Sequence, residues 1–337
     1  MQKLDALDRK LLWELDQNSR QAVSELSRKL RHGRDIVAYR MRRLWSEGVV
    51  LRAAAIVDPF QLGYSIYKSY LRLKNKPTSL PKLILVLQKN PAVYCFASTD
   101  GHWDLIFNTL ARSAFEFEQL FDEIVRPFRE SVIECRYAVV LEQHFFSKKF
   151  LAQNSAGASW KIGGELGNAD SNQRDLAILA LLASDARHTV IEIAAKLDLS
   201  QIMVRTSIER LEKARVIVGY RVHLNRKLLG LTAFKAQLAL RPSADEFLPA
   251  ILKHANQSPY ILSLIRQLGE TRVEFNALAC SYDIFSASLD EFSKNFNAEL
   301  EGLSMLIVGQ EEFNSLALRA VQRGPKRVAF ELAQAQV

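Results

Sequence analysis

The sequence predicts an α+β chain in which two winged helix-turn-helix domains alternate with two ferredoxin-like (β-α-β-β-α-β) domains. Three observations carry this. Residues 4–63 recur at 171–230, displaced without a gap by about 167 positions, an internal repeat. Asp8, Leu12, Arg20, Leu26, Val37, Arg43 and Leu62 of copy one meet Asp175, Leu179, Arg187, Ile193, Val204, Arg210 and Leu229 of copy two. Each copy opens on three short amphipathic segments, and after each the apolar period switches to alternating strands interrupted by helical stretches. The expected divisions are 1–60 and 173–227 for the winged units, 61–150 and 228–320 for the ferredoxin-like units, and 151–172 for a linker.

In the first segment Leu4, Leu7, Leu11, Leu12 and Leu15 form one apolar stripe at helical spacing. A polar break at 17–21 separates it from a second helix over 22–30, carrying Val23, Leu26 and Leu30. His32-Gly33 is a turn signal, because glycine tolerates the backbone angles that tight helix–helix turns need. A third helix over 34–45 keeps Val37, Met41 and Leu44 inward. Residues 49–57 then read as extended chain entering a strand pair, the wing. The first ferredoxin-like unit is expected as strand 65–73, helix 80–88, strands 93–98 and 103–110, helix 114–125 and strand 132–141. Residues 153–172, rich in Gly, Ser, Asn and Ala and without period, read as flexible. The second unit repeats the order over 232–240, 244–255, 261–267, 272–279, 284–296 and 303–308; the tail after Arg319 is assigned no role.

At 337 residues the chain is about twice a typical domain, as a duplicated two-part unit requires. Its net charge of +8 favours polyanionic partners, although solubility alone would also explain it. Cys95, Cys135 and Cys280 lack paired spacing, which argues against zinc or a disulfide framework and suits a reducing cytoplasm, with the thiols packed as small buried apolar groups. The charged N-terminus does not resemble a signal peptide. The longest apolar runs, such as residues 176–183, are too short for a bilayer, so no membrane partner is expected.

About 100° per residue turns Asp35, Ala38, Tyr39, Arg42 and Arg43 to the outer face of the third helix, with Arg34 at its leading edge. Arg28, Lys29, Arg31, Arg34, Arg40, Arg42 and Arg43 surround the single Asp35. Guanidinium groups match phosphate oxygens and the acceptor edge of guanine, so double-stranded DNA is the expected partner. A solvated helix face would carry the same charges; the position on the third helix favours DNA. In copy two, Gln201, Arg205, Thr206 and Arg210 are the corresponding DNA-facing candidates. Glu209 replaces Arg42, and a carboxylate repels phosphate, so the second unit is expected to bind more weakly or to serve as a structural partner.

The opening LDALDRKLLWELDQNSR, the segment RMRRLWSEGVV, the VDPFQLGY junction and the turn GHWDLIF resemble the leucine-responsive and asparagine regulator (Lrp/AsnC) family, here as two tandem members. The resemblance covers nearly all of the chain except the linker and tail. It implies that the winged domain binds DNA, and that the ferredoxin-like domain pairs subunits and senses small molecules, often amino acids. The ligand position it implies is the turn holding Gly101, His102 and Asp104, although an ordinary hairpin with a buried Trp would read the same. In copy two the turn is Gly269-Glu270-Thr271-Arg272 and loses the Trp-Asp pair. Fusion suggests a pseudo-dimer within the chain, or a homo-oligomer. Siroheme decarboxylases share this two-domain architecture and are the alternative; their chemistry needs histidine and cations facing a porphyrin, yet His102 becomes Glu270 in copy two and the densest basic cluster lies in the first winged unit. No nucleophile–base pair, phosphate loop or metal-spaced set is evident, so no enzyme activity, cofactor or metal is expected.

Overall fold

A computed structural model describes residues 4–152, 157–169, 171–241 and 246–313. The first winged unit is α1 (Ala6–Gln17), α2 (Val23–Leu30), α3 (Arg34–Ser46) and β1 (Val50–Val57). The first ferredoxin-like unit is β2 (Ser65–Leu73), α4 (Lys76–Lys89), β3 (Val93–Asp100), β4 (Leu105–Ala111), α5 (Ala114–Val125) and β5 (Val132–Phe146). After β6 (Ser159–Gly163) come α6 (Gln173–Ser184), α7 (Val190–Leu197), α8 (Gln201–Lys213) and β7 (Ile217–Leu224). The second ferredoxin-like unit is β8 (Thr232–Leu240), α9 (Leu248–Gln257), β9 (Ile261–Leu268), β10 (Val273–Ala279), α10 (Tyr282–Asn295) and β11 (Leu300–Phe313). The expected start of α9 at residue 244 and the tail after Arg319 lie outside the described residues.

The helices begin where local chemistry starts them. Asp5 and Asp8 form a capping box on α1, and Asn172 and Asp175 repeat it on α6, so each satisfies orphan amides of the first turn. The apolar stripes meet in one core that runs through both winged units, with Leu12, Val37 and Leu44 beside Leu179, Val204 and Leu211, all essentially inaccessible.

Each winged unit was expected to carry its own strand pair. Among the described residues each contributes one strand instead, and β1 pairs antiparallel with β7 of the other copy, Ala53 opposite Val222. A lone strand leaves its backbone groups unpaired, and the twin copy supplies the partner. The contact is reciprocal. Ser19 N–H donates to Tyr220 O and Ala186 N–H to Ala53 O, at 3.0 and 2.9 Å; the Arg20 guanidinium donates to Ala186 and His188 carbonyls, and that of Arg187 to Ser19 and Gln21 carbonyls. Such exchange of equivalent contacts is what a two-fold interface requires, here within one chain.

The ferredoxin-like units merge likewise. Eight strands close in the order β2-β4-β3-β11-β8-β10-β9-β5 and back to β2. The last strand of each unit runs on past its expected end: β5 continues onto β9, and β11 onto β3. Inside this barrel Lys68, 1% exposed, and Lys235 share the Glu274 carboxylate at 2.6 and 3.2 Å. Burial pushes that carboxyl up, but the two ammoniums outweigh it and hold it down to about 2.

The stretch expected to be a flexible linker holds β6, which pairs antiparallel with β5. Its alternation explains this: Ile162 enters the core, while Trp160 lies against Gly219, where a Cβ would sit 2.2 Å from the indole nitrogen. Among the cysteines Cys280 is exposed, and Cys95 and Cys135 are half-buried, so the expectation of buried packing does not hold for Cys280. Among the described residues no helix is long and apolar enough to cross a membrane, and no group of His, Cys, Asp and Glu could hold a metal ion.

Candidate nucleic-acid interface

The α2–turn–α3 segment gathers seven cations, and the fold sorts them into two sets. Asp8, 1% exposed at the start of α1, receives Arg40 at 2.9 Å and also Arg43. Arg40 further pairs with Asp5, whose carboxyl its hydrogen bond holds below the usual range. Lys29 pairs with Glu14 and Glu25 at 3.4 and 3.2 Å. These three cations fasten α1 to α2 and α3.

Arg28, Arg31, Arg34 and Arg42 form the other set. All four are exposed, and their side chains hold no ion pair among the described residues. Arg34 opens α3 after Gly33, and Arg42 lies two turns on; Asp35 and Tyr39 are exposed beside them and Ala38 is half-buried. Arg43 was expected among these outward groups. Its guanidinium instead turns back to Asp8 and Glu47, because a buried carboxylate attracts a cation more strongly than solvent does.

Copy two keeps Lys29 and Arg43 of the structural set as Lys196 and Arg210, replaces Arg40 by Ser207, and loses the other set. Arg210, expected to face outward, pairs with Asp175, whose carboxyl is raised by burial but lowered on balance by hydrogen bonds from Arg210, Ser207 and the Asn172 backbone acting together. At the repeat positions of Arg28, Arg31, Arg34 and Arg42 stand Ala195, Asp198, Gln201 and Glu209, so four positive charges become two negative ones. Gln201, Arg205 and Thr206 are exposed on α8 as expected. So are two large apolar side chains, Ile202 at 78% and Met203 at 39%.

The expected ligand turn is committed to packing. Gly101 at φ +141° lies against β11, where a Cβ would stand 2.7 Å from the Leu306 side chain. Its repeat partner Gly269 meets Ala138 of β5 in the same way. Asp104 accepts the Leu73 amide at 2.8 Å and pairs with Lys76 at 3.4 Å; His102 is half exposed, with Nε2 3.4 Å from Glu134. The turn thus lies where the two ferredoxin-like units meet. Arg28 and Arg31, counted in the cationic neighbourhood but not among the expected DNA-facing residues, belong to the exposed set; the pattern that singles them out is loss of charge in the other copy.

A chain with two joined winged heads, one bearing cations that hold no ion pair among the described residues, on a closed ferredoxin-like barrel is by class a duplicated winged helix-turn-helix protein. A family profile described as winged helix-turn-helix DNA-binding matches residues 4–50 and 171–218. An uncharacterized HTH-type transcriptional regulator of Pyrococcus abyssi is 30% identical over 121 residues, which cover 36% of this chain and 76% of the relative. A second from the same organism is 30% identical over 129 residues, 37% of this chain and 85% of the relative. Each relative therefore spans about one copy. The crystal structure of the siroheme decarboxylase NirDL shares the fold, with TM-score 0.63 at 13% identity, over 98% of this chain and 100% of that one. The chain belongs to the Lrp/AsnC family of winged helix-turn-helix regulators, as a tandem duplicate of its usual unit.

Proposed function

We propose that the protein is a cytoplasmic transcriptional regulator whose first winged unit grips double-stranded DNA, with binding modulated by a small molecule such as an amino acid. One observation carries this: Arg28, Arg31, Arg34 and Arg42 are exposed and hold no ion pair among the described residues, while the arginine that both copies share on this helix, Arg43 or Arg210, is spent on a buried carboxylate. Internal pairing of the winged units supplies the two-fold frame in which such proteins present reading helices to DNA, so one chain takes the place of a dimer. The second unit, with Glu209 facing outward, contributes weaker contacts or framing. The effector is assigned to the region of Gly101, His102 and Asp104, at the contact between the two ferredoxin-like units, where His102 is half exposed.

Mobility-shift titration of genomic fragments, with and without pooled amino acids and across salt, tests this reading. Four phosphate contacts imply a log–log slope of about −3 to −4, since each contact releases condensed counterions. No retained fragment at low salt, or a slope near zero, would overturn it.

A second reading, a decarboxylase of the siroheme type, is favoured by the fold shared with NirDL across both halves. Adding iron-uroporphyrin separates the two. A regulator leaves the porphyrin absorbance band unshifted, whereas a saturable one-to-one shift would favour the enzyme.

A further inference from the structure

Between the β1–β7 ribbon of the winged pair and the barrel lies a cavity of about 840 Å³, within the size range of small-molecule sites. Its walls come from both layers, Ala55 and His223 from the ribbon, Tyr94, Phe145 and Phe313 from the barrel strands. Several of its polar groups are occupied, although the Arg226 Nη1 has no hydrogen-bond partner among the described residues. Lys148 and Arg221 share Asp16, and Arg226 donates to the Gly309 carbonyl.

Arg52 is different. It is half-buried against the cavity, 5.7 Å from the Phe313 ring, and no carboxylate lies within 4 Å of it among the described residues. Burial pushes its guanidinium down from the usual arginine range, with Tyr94 and Glu312 offsetting only in part. His223 beside it is pushed well below the usual histidine range by burial first, and then by Arg52, Lys148 and Arg221. The cavity is thus a positive, partly aromatic enclosure in which two guanidiniums, Arg52 and Arg226, lack an acidic partner among the described residues, a costly arrangement unless an anion completes it.

We propose that this cavity binds a small monoanionic acid with an aromatic or apolar body, its charged head on Arg52 and its body between Tyr94, Phe145 and Phe313. One charge suffices: among the described residues Arg52 is the one guanidinium on these walls with neither an acidic partner nor a hydrogen bond, Arg226 is held by the Gly309 carbonyl, Lys227 is the other cation without an acidic partner, and Glu311 and Glu312 on the same walls repel further anionic groups. An occupant touches the ribbon and the barrel together, so it ties the winged pair to the barrel. The site is separate from the turn at Gly101, and its existence does not depend on the DNA-binding reading.

The test uses the full chain and two dyes that differ by one charge, 1-anilinonaphthalene-8-sulfonate and its uncharged analogue N-phenyl-1-naphthylamine, followed by fluorescence. The sulfonate should bind saturably at one site per chain and roughly tenfold or more tighter than the neutral dye. Arg52→Gln should weaken sulfonate binding by about the same factor and leave the neutral dye unchanged; exposed Lys253→Gln should change neither. Ala55→Phe, which fills the cavity without altering charge, should weaken both dyes. If Arg52→Gln lowers the melting temperature, Arg52→Lys carries the comparison and should retain most of the sulfonate preference. Equal binding of the two dyes, indifference to both Arg52→Gln and Ala55→Phe, or unsaturable uptake would each overturn the proposal. Mobility shifts of the same variants report DNA binding separately, so failure of one reading is distinguishable from failure of the other.

Discussion

Replacing Arg34 and Arg42 together by alanine is expected to lower affinity for a retained DNA fragment by about a hundredfold, because two charge-assisted guanidinium–phosphate contacts at about 1.5 kcal/mol or more each are lost. The melting temperature should stay within about 2 °C, since neither side chain holds a partner that its removal would strand. The salt slope should fall by about two units, one for each phosphate contact removed. Arg43→Ala is the informative contrast. That guanidinium serves the buried Asp8, so its loss should lower stability and touch DNA affinity only indirectly. In the second unit, Arg205→Ala should weaken binding far less than the Arg34/Arg42 pair, because Glu209 and Asp198 already oppose phosphate there. Equal losses from both units in a mobility-shift titration would remove the asymmetry on which the reading rests.

Asp16→Asn is expected to cost about 3–5 kcal/mol, the usual consequence of leaving buried cations without their carboxylate. Asp16 is fully buried at the end of α1, where it accepts the Lys148 amide at 2.8 Å, the Lys148 ammonium at 2.5 Å and two Arg221 bonds at 3.1 and 3.2 Å. Those groups follow β5 and lie on β7, so one carboxylate joins a winged helix, the ribbon and the barrel. A fall in melting temperature of roughly 5–15 °C should result, read by calorimetry.

The same group gives a pH signature. Burial pushes the Asp16 carboxyl up, but Arg221 and Lys148 outweigh it and hold it at about 2, below its ordinary 3.8. A folded value below the unfolded one means stability that is present above about pH 4 and is lost as pH falls towards 2. The wild-type chain should therefore lose more stability than Asp16→Asn over that interval. Parallel acid profiles would contradict the assignment. Lys148 is itself pushed down to about 8 by burial and by Arg221, because two cations share one carboxylate.

Sequence alone sets the alternation of folds, the helices and their caps. Periodicity and capping are local, decided within a few turns: α5 has the expected bounds, and the Asp8 and Asp175 boxes arise from residues three apart. The repeat also held a signal about the site. The Asp8–Arg43 and Asp175–Arg210 pairs survive in both copies because each copy needs them to fold, whereas Arg34 and Arg42 occur in one copy only. A charge that both copies keep reads as packing, and one that only a single copy carries reads as contact with something outside.

Tertiary structure decided the rest, because the deciding partners are distant in sequence. A lone β1 has no wing until β7 arrives from the other copy, and a Gly-rich stretch gains a strand only where Trp160 finds Gly219. Which arginines point outward depends on where a buried carboxylate stands, and the cavity beside Arg52 exists only between two layers that the chain brings together. Local pattern specifies the elements of this protein; the placement of charge against charge across the duplicated halves specifies which side chains remain free to bind.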